Sequence, residues 1–237
     1  MKPSALLHPK RSSRLIPALT RSTPLLAVTR SAPLLAVAIA CATGLACATA
    51  HDHPPPRPYP GTLTRPSEHP GDFVRRQKLS AKFGDQTQGF EAVLQKQGDQ
   101  LKLVGLTPFG TKAFLLEQDG LEVKFTSYMP RELPFPPRYI LQDVHRVYFG
   151  GLGKGALVPL PDGEHTAQRD GETIAETWRD GRLLERRFTR VAADPPGVIT
   201  VVYEGGMAGP TSPKVIRIDN GWLGYQLVIE TVSEQKL

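Results

Sequence analysis

Short runs in which alternate residues are apolar, each closed by a glycine-bearing turn, recur from Phe73 almost to the C-terminus. No other feature limits the fold as strongly. Leu79, Ala81 and Phe83 alternate with polar residues and end at GDQTQG (84–89); Phe90, Ala92 and Leu94 alternate and end at QGDQ (97–100); Leu101 and Leu103 follow. Residues 113–116 lead into Asp119-Gly120, after which Leu121, Val123 and Phe125 alternate again. Strand side chains point to opposite faces in turn, so period-two patterning broken by Asp-Gly predicts hairpins. Further strands are predicted at 164–169, 172–178, 182–190, 198–203, 214–219 and 222–231, with Asp180-Gly181 and Asn220-Gly221 as tight turns.

One segment breaks the pattern. LPFPPRYILQDVHRVYFGG (133–151) has prolines where a helix begins and glycines where it ends. Ile140, Val144, Val147 and Tyr148 fall on one stripe at helical spacing, with Arg138, Gln142 and Arg146 on the other side. The expected fold is mainly β: an open antiparallel half-barrel of about eleven strands with a helical lid. A meander of this length has to curl or close to manage its edges, and such an interior can hold a ligand.

Charge removes one class of partner. The formal net charge is +6, yet six of the 29 basic residues and none of the 23 acidic ones precede residue 50. The 23 basic residues that remain equal the acidic ones, so residues 51–237 are formally neutral. The basic footprint of a nucleic-acid binder is missing from the domain.

The leader accounts for the basic character. Arg30 stands before SAPLLAVAIACATGLACATA (31–50), which has the order of an export signal: positive flank, hydrophobic segment, small residues. The truly apolar part is short for a permanent membrane span. Two near-copies, RSTPLLAVT (21–29) and RSAPLLAVA (30–38), read as a local duplication or as a start placed too early. Both cysteines, Cys41 and Cys47, lie here, so the exported domain has no disulfide and no thiol chemistry. A cysteine after small and apolar residues resembles a bacterial lipidation site. Cys47 follows Gly44-Leu45-Ala46 and leaves the more usual hydrophobic length; Cys41 is the alternative, and cleavage after Ala48-Thr49-Ala50 is a third reading. The domain boundaries expected are a leader over 1–47, a tether over 48–72 and a lipid-binding domain over 73–237. Residues 51–71 contain seven prolines, which predicts an extended, semi-rigid tether.

Catalytic patterns are absent from this reading. GGLGKGAL (150–157) lacks the Ser or Thr after Gly-Lys that a phosphate loop needs and follows a helix instead of a strand. Asp143 and His145 read as part of an exposed charged face. Glu172 and Glu176 share a strand face without any sign of split acid–base roles. His69, His145 and His165 have no metal spacing, and Trp178 and Trp222 read as core. The expectation is a binder, not an enzyme, with no cofactor and no metal.

The order LKLVGLTPFGTKAFLLEQDGLEVKF (101–125), then the Pro-initiated helix, then a strand-rich second half resembles LolB-type outer-membrane lipoproteins of the LolA/LolB superfamily, over roughly 73–231. More closely, it is similar to a group of LolB-like lipoproteins found beside aryl-polyene biosynthesis genes. The resemblance implies an open barrel with a helical lid over a cavity for acyl chains, and a protein anchored by lipid to the periplasmic face of the outer membrane. It implies lipid or lipoprotein acyl chains as ligands, a membrane surface and a LolA-like periplasmic carrier as partners, and a monomer. The family has an apolar residue at the tip of the turn between strands three and four that helps deliver cargo to the membrane. Here the matching turn is Pro108-Phe109-Gly110, where Phe109 becomes the membrane-inserting residue; packing against a neighbouring loop is the plainer reading. The cavity-lining residues expected are Leu79, Phe83, Phe90, Leu94, Leu101, Leu103, Val123, Phe125, Ile140, Val144 and Val147, each of which would serve equally as ordinary core. Departures from the family pattern are the Pro-rich segment in place of an initial amphipathic helix, and a lid of one helix over 136–149.

Overall fold

The computed structural model of the 237-residue chain describes Tyr59 and residues 61–130, 135–153, 157–190, 197–209 and 211–237. The chain divides into two units, Met1–Ala50 and His51–Leu237, and every described residue belongs to the second. Cys41, Cys47, the duplicated leader and Lys154 of the glycine-rich stretch lie outside the described residues. Among the described residues no helix is long and apolar enough to cross a membrane.

Eleven strands follow the alternating pattern: β1 (Phe73–Phe83), β2 (Gln86–Gln97), β3 (Gln100–Leu106), β4 (Lys112–Asp119), β5 (Glu122–Ser127), β6 (Gly163–Arg169), β7 (Glu172–Arg179), β8 (Arg182–Arg190), β9 (Gly197–Met207), β10 (Val215–Asn220) and β11 (Tyr225–Lys236). The one α-helix is α1 (Arg138–Tyr148), and a 3-10 turn spans Pro66–Glu68. All strands join one antiparallel sheet in the order β5-β4-β3-β2-β1-β11-β10-β9-β8-β7-β6. The expected mainly β fold with one helix is therefore the fold observed.

The order refines the expected meander. Hairpins link successive strands on each side of α1, but the first and last strands pair at the centre, Phe73 opposite Lys236 and Phe83 opposite Tyr225. The sheet opens instead between β5 and β6, the two strands that α1 connects. Asp180-Gly181 forms the predicted tight turn, with both residues at positive φ. The segment after Asn220 is longer than the predicted Asn-Gly turn. Asn220 Oδ1 accepts hydrogen bonds from the amides of Trp222 (3.1 Å) and Leu223 (3.0 Å), and β11 starts only at Tyr225. An Asn side chain that mimics a backbone turn in this way extends the loop beyond two residues.

The sheet curls strongly. β4 and β7 are eight strand steps apart, about 38 Å across a flat sheet at ordinary strand spacing. Yet His145 on α1 lies 2.8 Å from Gln118 on β4, while its neighbour Arg146 lies 3.2 Å from Glu172 on β7. Two adjacent side chains cannot span a flat sheet of that width, so the sheet wraps around the helix.

Two apolar clusters fill the concave side. One gathers Leu94, Leu101, Leu103, Phe114, Leu116 and Leu141 from β2 to β4 and α1; the other gathers Trp178, Leu183, Ile199, Val201, Ile216 and Val147 from β7 to β10 and α1. Leu79 and Tyr148 pack against both.

Candidate functional site

The site is built where α1 meets the wall of the curled sheet. Pro137 precedes the helix with helical φ and ψ, and its fixed φ suits a first turn. Ile140 and Val144 lie half-buried against the β2–β5 cluster, as the apolar stripe predicts. The opposite, polar side of the helix is also buried. Gln142, Asp143, His145 and Arg146 are all between 5% and 6% exposed. This corrects the expected exposed charged face of Asp143 and His145. Polar groups can be buried when they find partners, and the curled sheet and the segment before β1 supply them.

Asp143 accepts from the hydroxyls of Tyr59 and Tyr225 and from Asn220 Nδ2 at 3.3 Å. Burial pushes its carboxyl above the usual carboxylate range, against the opposing pull of Arg146 and of these donors. Burial likewise raises the Tyr59 and Tyr225 phenols, which stay protonated. Arg146 bridges Asp143 (3.4 Å) and Glu172 (3.2 Å) and lies over the Tyr59 ring. Arg186 pairs with Glu176 (2.8 Å) and donates to the carbonyl of Arg146 at 2.7 Å; Tyr203 donates to the carbonyl of Val147 at 2.8 Å. The last carbonyls of a helix have no partner within it, so two sheet side chains finish α1, one of them a cation on the negative end of the helix dipole.

His145 has a defined tautomer. Gln118 Nε2 donates to the carbonyls of Thr64 (2.8 Å) and Gly120 (2.7 Å), which leaves Gln118 Oε1 as the acceptor facing His145 Nε2. His145 therefore carries its proton on Nε2, and Nδ1 accepts from the Thr64 hydroxyl at 3.2 Å. Burial, aided by the neighbouring His69, lowers its pKa to about 3.

The segment before β1 differs from the expected extended tether. Tyr59, Leu63, Pro66 and His69 are buried. Tyr59 stacks on Tyr139, the carbonyl of Gly61 accepts from Gln142, Thr64 meets His145, and His69 stacks on Phe149. The segment thus runs alongside α1 in the same direction, from its first turn to its end. Gly61 has φ +86°, and a Cβ there would press on the Arg146 guanidinium, so glycine is needed for the close approach.

The expected cavity residues divide. Leu94, Leu101 and Leu103 are buried in the β2–β5 cluster, and Leu79, Val123, Phe125, Ile140 and Val144 pack against it. Val147 belongs to the other cluster. Phe90 is half-buried on β2 opposite Leu79, and Phe83 is exposed at the end of β1. Val123 and Phe125, with Leu121, Glu122, Pro136, Pro137 and Arg138, line an open groove of about 580 Å³ between β5 and the start of α1. Sequence reading named Val123 and Phe125 but missed the proline wall opposite; Pro136 and Pro137, placed between an edge strand and the helix, are the signal for it.

Phe109 is 92% exposed at the β3–β4 turn. Thr107 and Thr111 close the turn beneath it through their backbones (2.8 Å) and hydroxyls (2.7 Å). It does not pack on a neighbouring loop. Among the described residues no three His, Cys, Asp or Glu side chains are placed to hold a metal.

The model of a family described as protein of unknown function, DUF3261, matches residues 74–233. No curated protein matches the sequence. Among solved structures, a LolA superfamily protein of Nitrosomonas europaea is 10% identical, with a TM-score of 0.38 over 72% of this chain and 89% of that one. A domain of Vibrio parahaemolyticus assigned as an outer membrane lipoprotein-sorting protein is 12% identical, with a TM-score of 0.38 over 70% and 85%. A DUF1329 family protein of Desulfovibrio piger is 14% identical, with a TM-score of 0.32 over 70% and 85%. These likenesses are slight, and the fold rests on the strand order described above.

Proposed function

This chain belongs to the DUF3261 family, and from that premise we propose that it is an envelope lipoprotein that takes a hydrophobic ligand against its curled sheet and delivers it to a membrane. The ligand class is an acyl or polyene chain of a lipid or lipoprotein, received from a LolA-like carrier. The anchor is Cys47, with Cys41 as the alternative, on the periplasmic face of the outer membrane.

The observation that carries the reading is the groove between β5 and α1. Its lining joins Val123, Phe125, Pro136 and Pro137 with the charged Glu122 and Arg138. Each acyl CH₂ moved from water into such a wall contributes about 0.8 kcal/mol. Val123 and Phe125 of this lining pack against the β2–β5 cluster, as do Ile140 and Val144 of α1, which lie only partly buried there. Phe109 supplies the exposed apolar tip that a delivery step needs.

Mass spectrometry of the protein extracted from its native membrane tests both halves. The expected result is an acylated cysteine and a co-extracted lipid. A protein free of lipid and of acyl modification contradicts the proposal.

A second reading, a non-enzymatic assembly lipoprotein that binds another envelope protein, is favoured by one observation. Under α1 the β7–β11 half of the concave side is filled by Arg146, Glu172, Arg186, Glu176 and Asn220 with their partners. Crosslinking that captures one envelope protein, with no lipid transfer, supports it.

A further inference from the structure

The sheet is open between β5 and β6, and the segment before β1 bridges that opening. On one flank the Thr64 carbonyl accepts from Gln118 on β4, and Arg65 and Ser67 meet the Asp99 carboxylate in the β2–β3 turn at 2.8 and 2.7 Å. On the other, the Thr62 hydroxyl donates to Asp170 in the β6–β7 turn at 2.8 Å, and the Tyr59 hydroxyl accepts from Asn220 on β10. Between the flanks the segment lies against α1, through Tyr59 on Tyr139, the Gly61 carbonyl on Gln142, and Thr64 on His145.

This segment is held differently from the strands. Among the described residues, Tyr59 and residues 61–70 make no backbone–backbone hydrogen bond to another element; the bonds from Glu68 to Arg65 and from His69 to Pro66 lie within the segment. Ladder pairing starts only at Phe73. Every hydrogen bond described above that docks the segment involves a side chain, so it can leave without unzipping the sheet. Such a piece opens at a lower free energy than the whole fold. Gly71, at φ +82°, stands between the segment and β1, where the chain can turn as a hinge.

We infer that the segment is a latch on α1: it swings about Gly71 as a unit, and while docked it holds the helix beside the groove formed with β5. Undocking removes Tyr59, Gly61 and Thr64 from one side of α1 and leaves Ile140 and Val144 packed on the other, which loosens the helix over Val123 and Phe125. A phospholipid chain entering the groove selects the undocked state. The lipid rests on the proposed delivery function, whereas the latch itself is read on α1 without any ligand.

Hydrogen exchange in the full chain is the readout. Among the described residues the Asp99 carboxylate bonds to Arg65 and Ser67 and to nothing on α1, so Asp99→Ala loosens the latch without touching the helix. The α1 amides of residues 142–148 are expected to exchange about tenfold faster in Asp99→Ala, with the β1 and β11 amides unchanged. Thr62 and Asp170 are exposed. In Thr62→Cys with Asp170→Cys, joined by a short bifunctional thiol reagent, the same α1 amides are expected to exchange more slowly than in the unlinked double variant. Labelling by a diazirine-bearing phospholipid should slow with them. Exchange in α1 that neither change alters overturns the latch. So does an Asp99→Ala variant that speeds α1 and β1 alike, because the segment then opens only with the whole fold. If lipid labels linked and unlinked protein at the same rate, the latch is overturned and lipid binding stands. If α1 responds as expected while no lipid labels the protein, the latch stands and the delivery function falls.

Discussion

Gln118 Oε1 accepts a hydrogen bond from His145 Nε2 at 2.8 Å, and the pair joins β4 to α1 with His145 in its neutral form. The unfolded chain protonates this residue near 6.5, whereas the folded protein resists protonation down to about 3. Between those values the unfolded state binds the extra proton. Stability from this residue is therefore complete above pH 6.5 and falls as pH drops towards 3. The slope approaches 1.4 kcal/mol per pH unit, so about 2–3 kcal/mol is lost by pH 4.5. Urea unfolding at pH 7.5 and 4.5 measures it; in His145→Gln the difference between the two pH values should shrink.

Asp143 is the centre of the contacts that join α1, the segment before β1 and the β10–β11 end of the sheet. Asp143→Ala leaves Arg146, Tyr59, Tyr225 and Asn220 facing an empty space. Removing one partner of a buried charged cluster costs about 3–5 kcal/mol. Asp143→Asn keeps the volume and removes a charge that burial already disfavours, so its cost should be nearer 1–2 kcal/mol. Thermal and chemical unfolding of the two variants compare them directly.

The concave wall is tight at Gly105, where the Phe114 ring occupies the space a Cβ would need. Gly105→Ala should cost about 1–3 kcal/mol through overpacking. Gly98→Ala is a control of a different kind: nothing lies near its missing Cβ, so its cost comes from backbone conformation at φ +56°. The Gly105 variant should also change ligand binding on the β2–β5 side, because Phe114 has to move.

Phe109→Glu separates folding from delivery. At 92% exposure the side chain contributes little to the folded state, and the change should stay within about 0.5 kcal/mol of wild-type stability. Transfer of lipid to liposomes should fall sharply. A large drop in stability would show instead that the turn depends on the ring.

Much of this architecture is legible in the sequence, because period-two patterning reports directly which face of a strand meets the core. β6, β7 and β8 lie within one residue of their predicted ends. The central pairing of β1 with β11 is not legible, since register between distant strands leaves no local mark. The burial of the polar side of α1 is not legible for a related reason. Gln142, Asp143, His145 and Arg146 look like a solvated face until the strands opposite are known. A signal was nevertheless present: Glu172, Ile174, Glu176 and Trp178 alternate onto one face of β7, and charged residues sharing a face with Ile and Trp imply buried partners. In the segment 51–71 the prolines masked Tyr59, Leu63 and His69, whose burial depends on a helix eighty residues away.

Photo-crosslinking with a diazirine-bearing phospholipid, followed by peptide mapping, locates the ligand. The protein is expected to be labelled at residues 121–125 and 136–144, on the two walls of the groove between β5 and α1, with loss of labelling in Val123→Asp. Labelling confined to the outer surface of the sheet, or none above that of a denatured control, contradicts a lipid site in this groove.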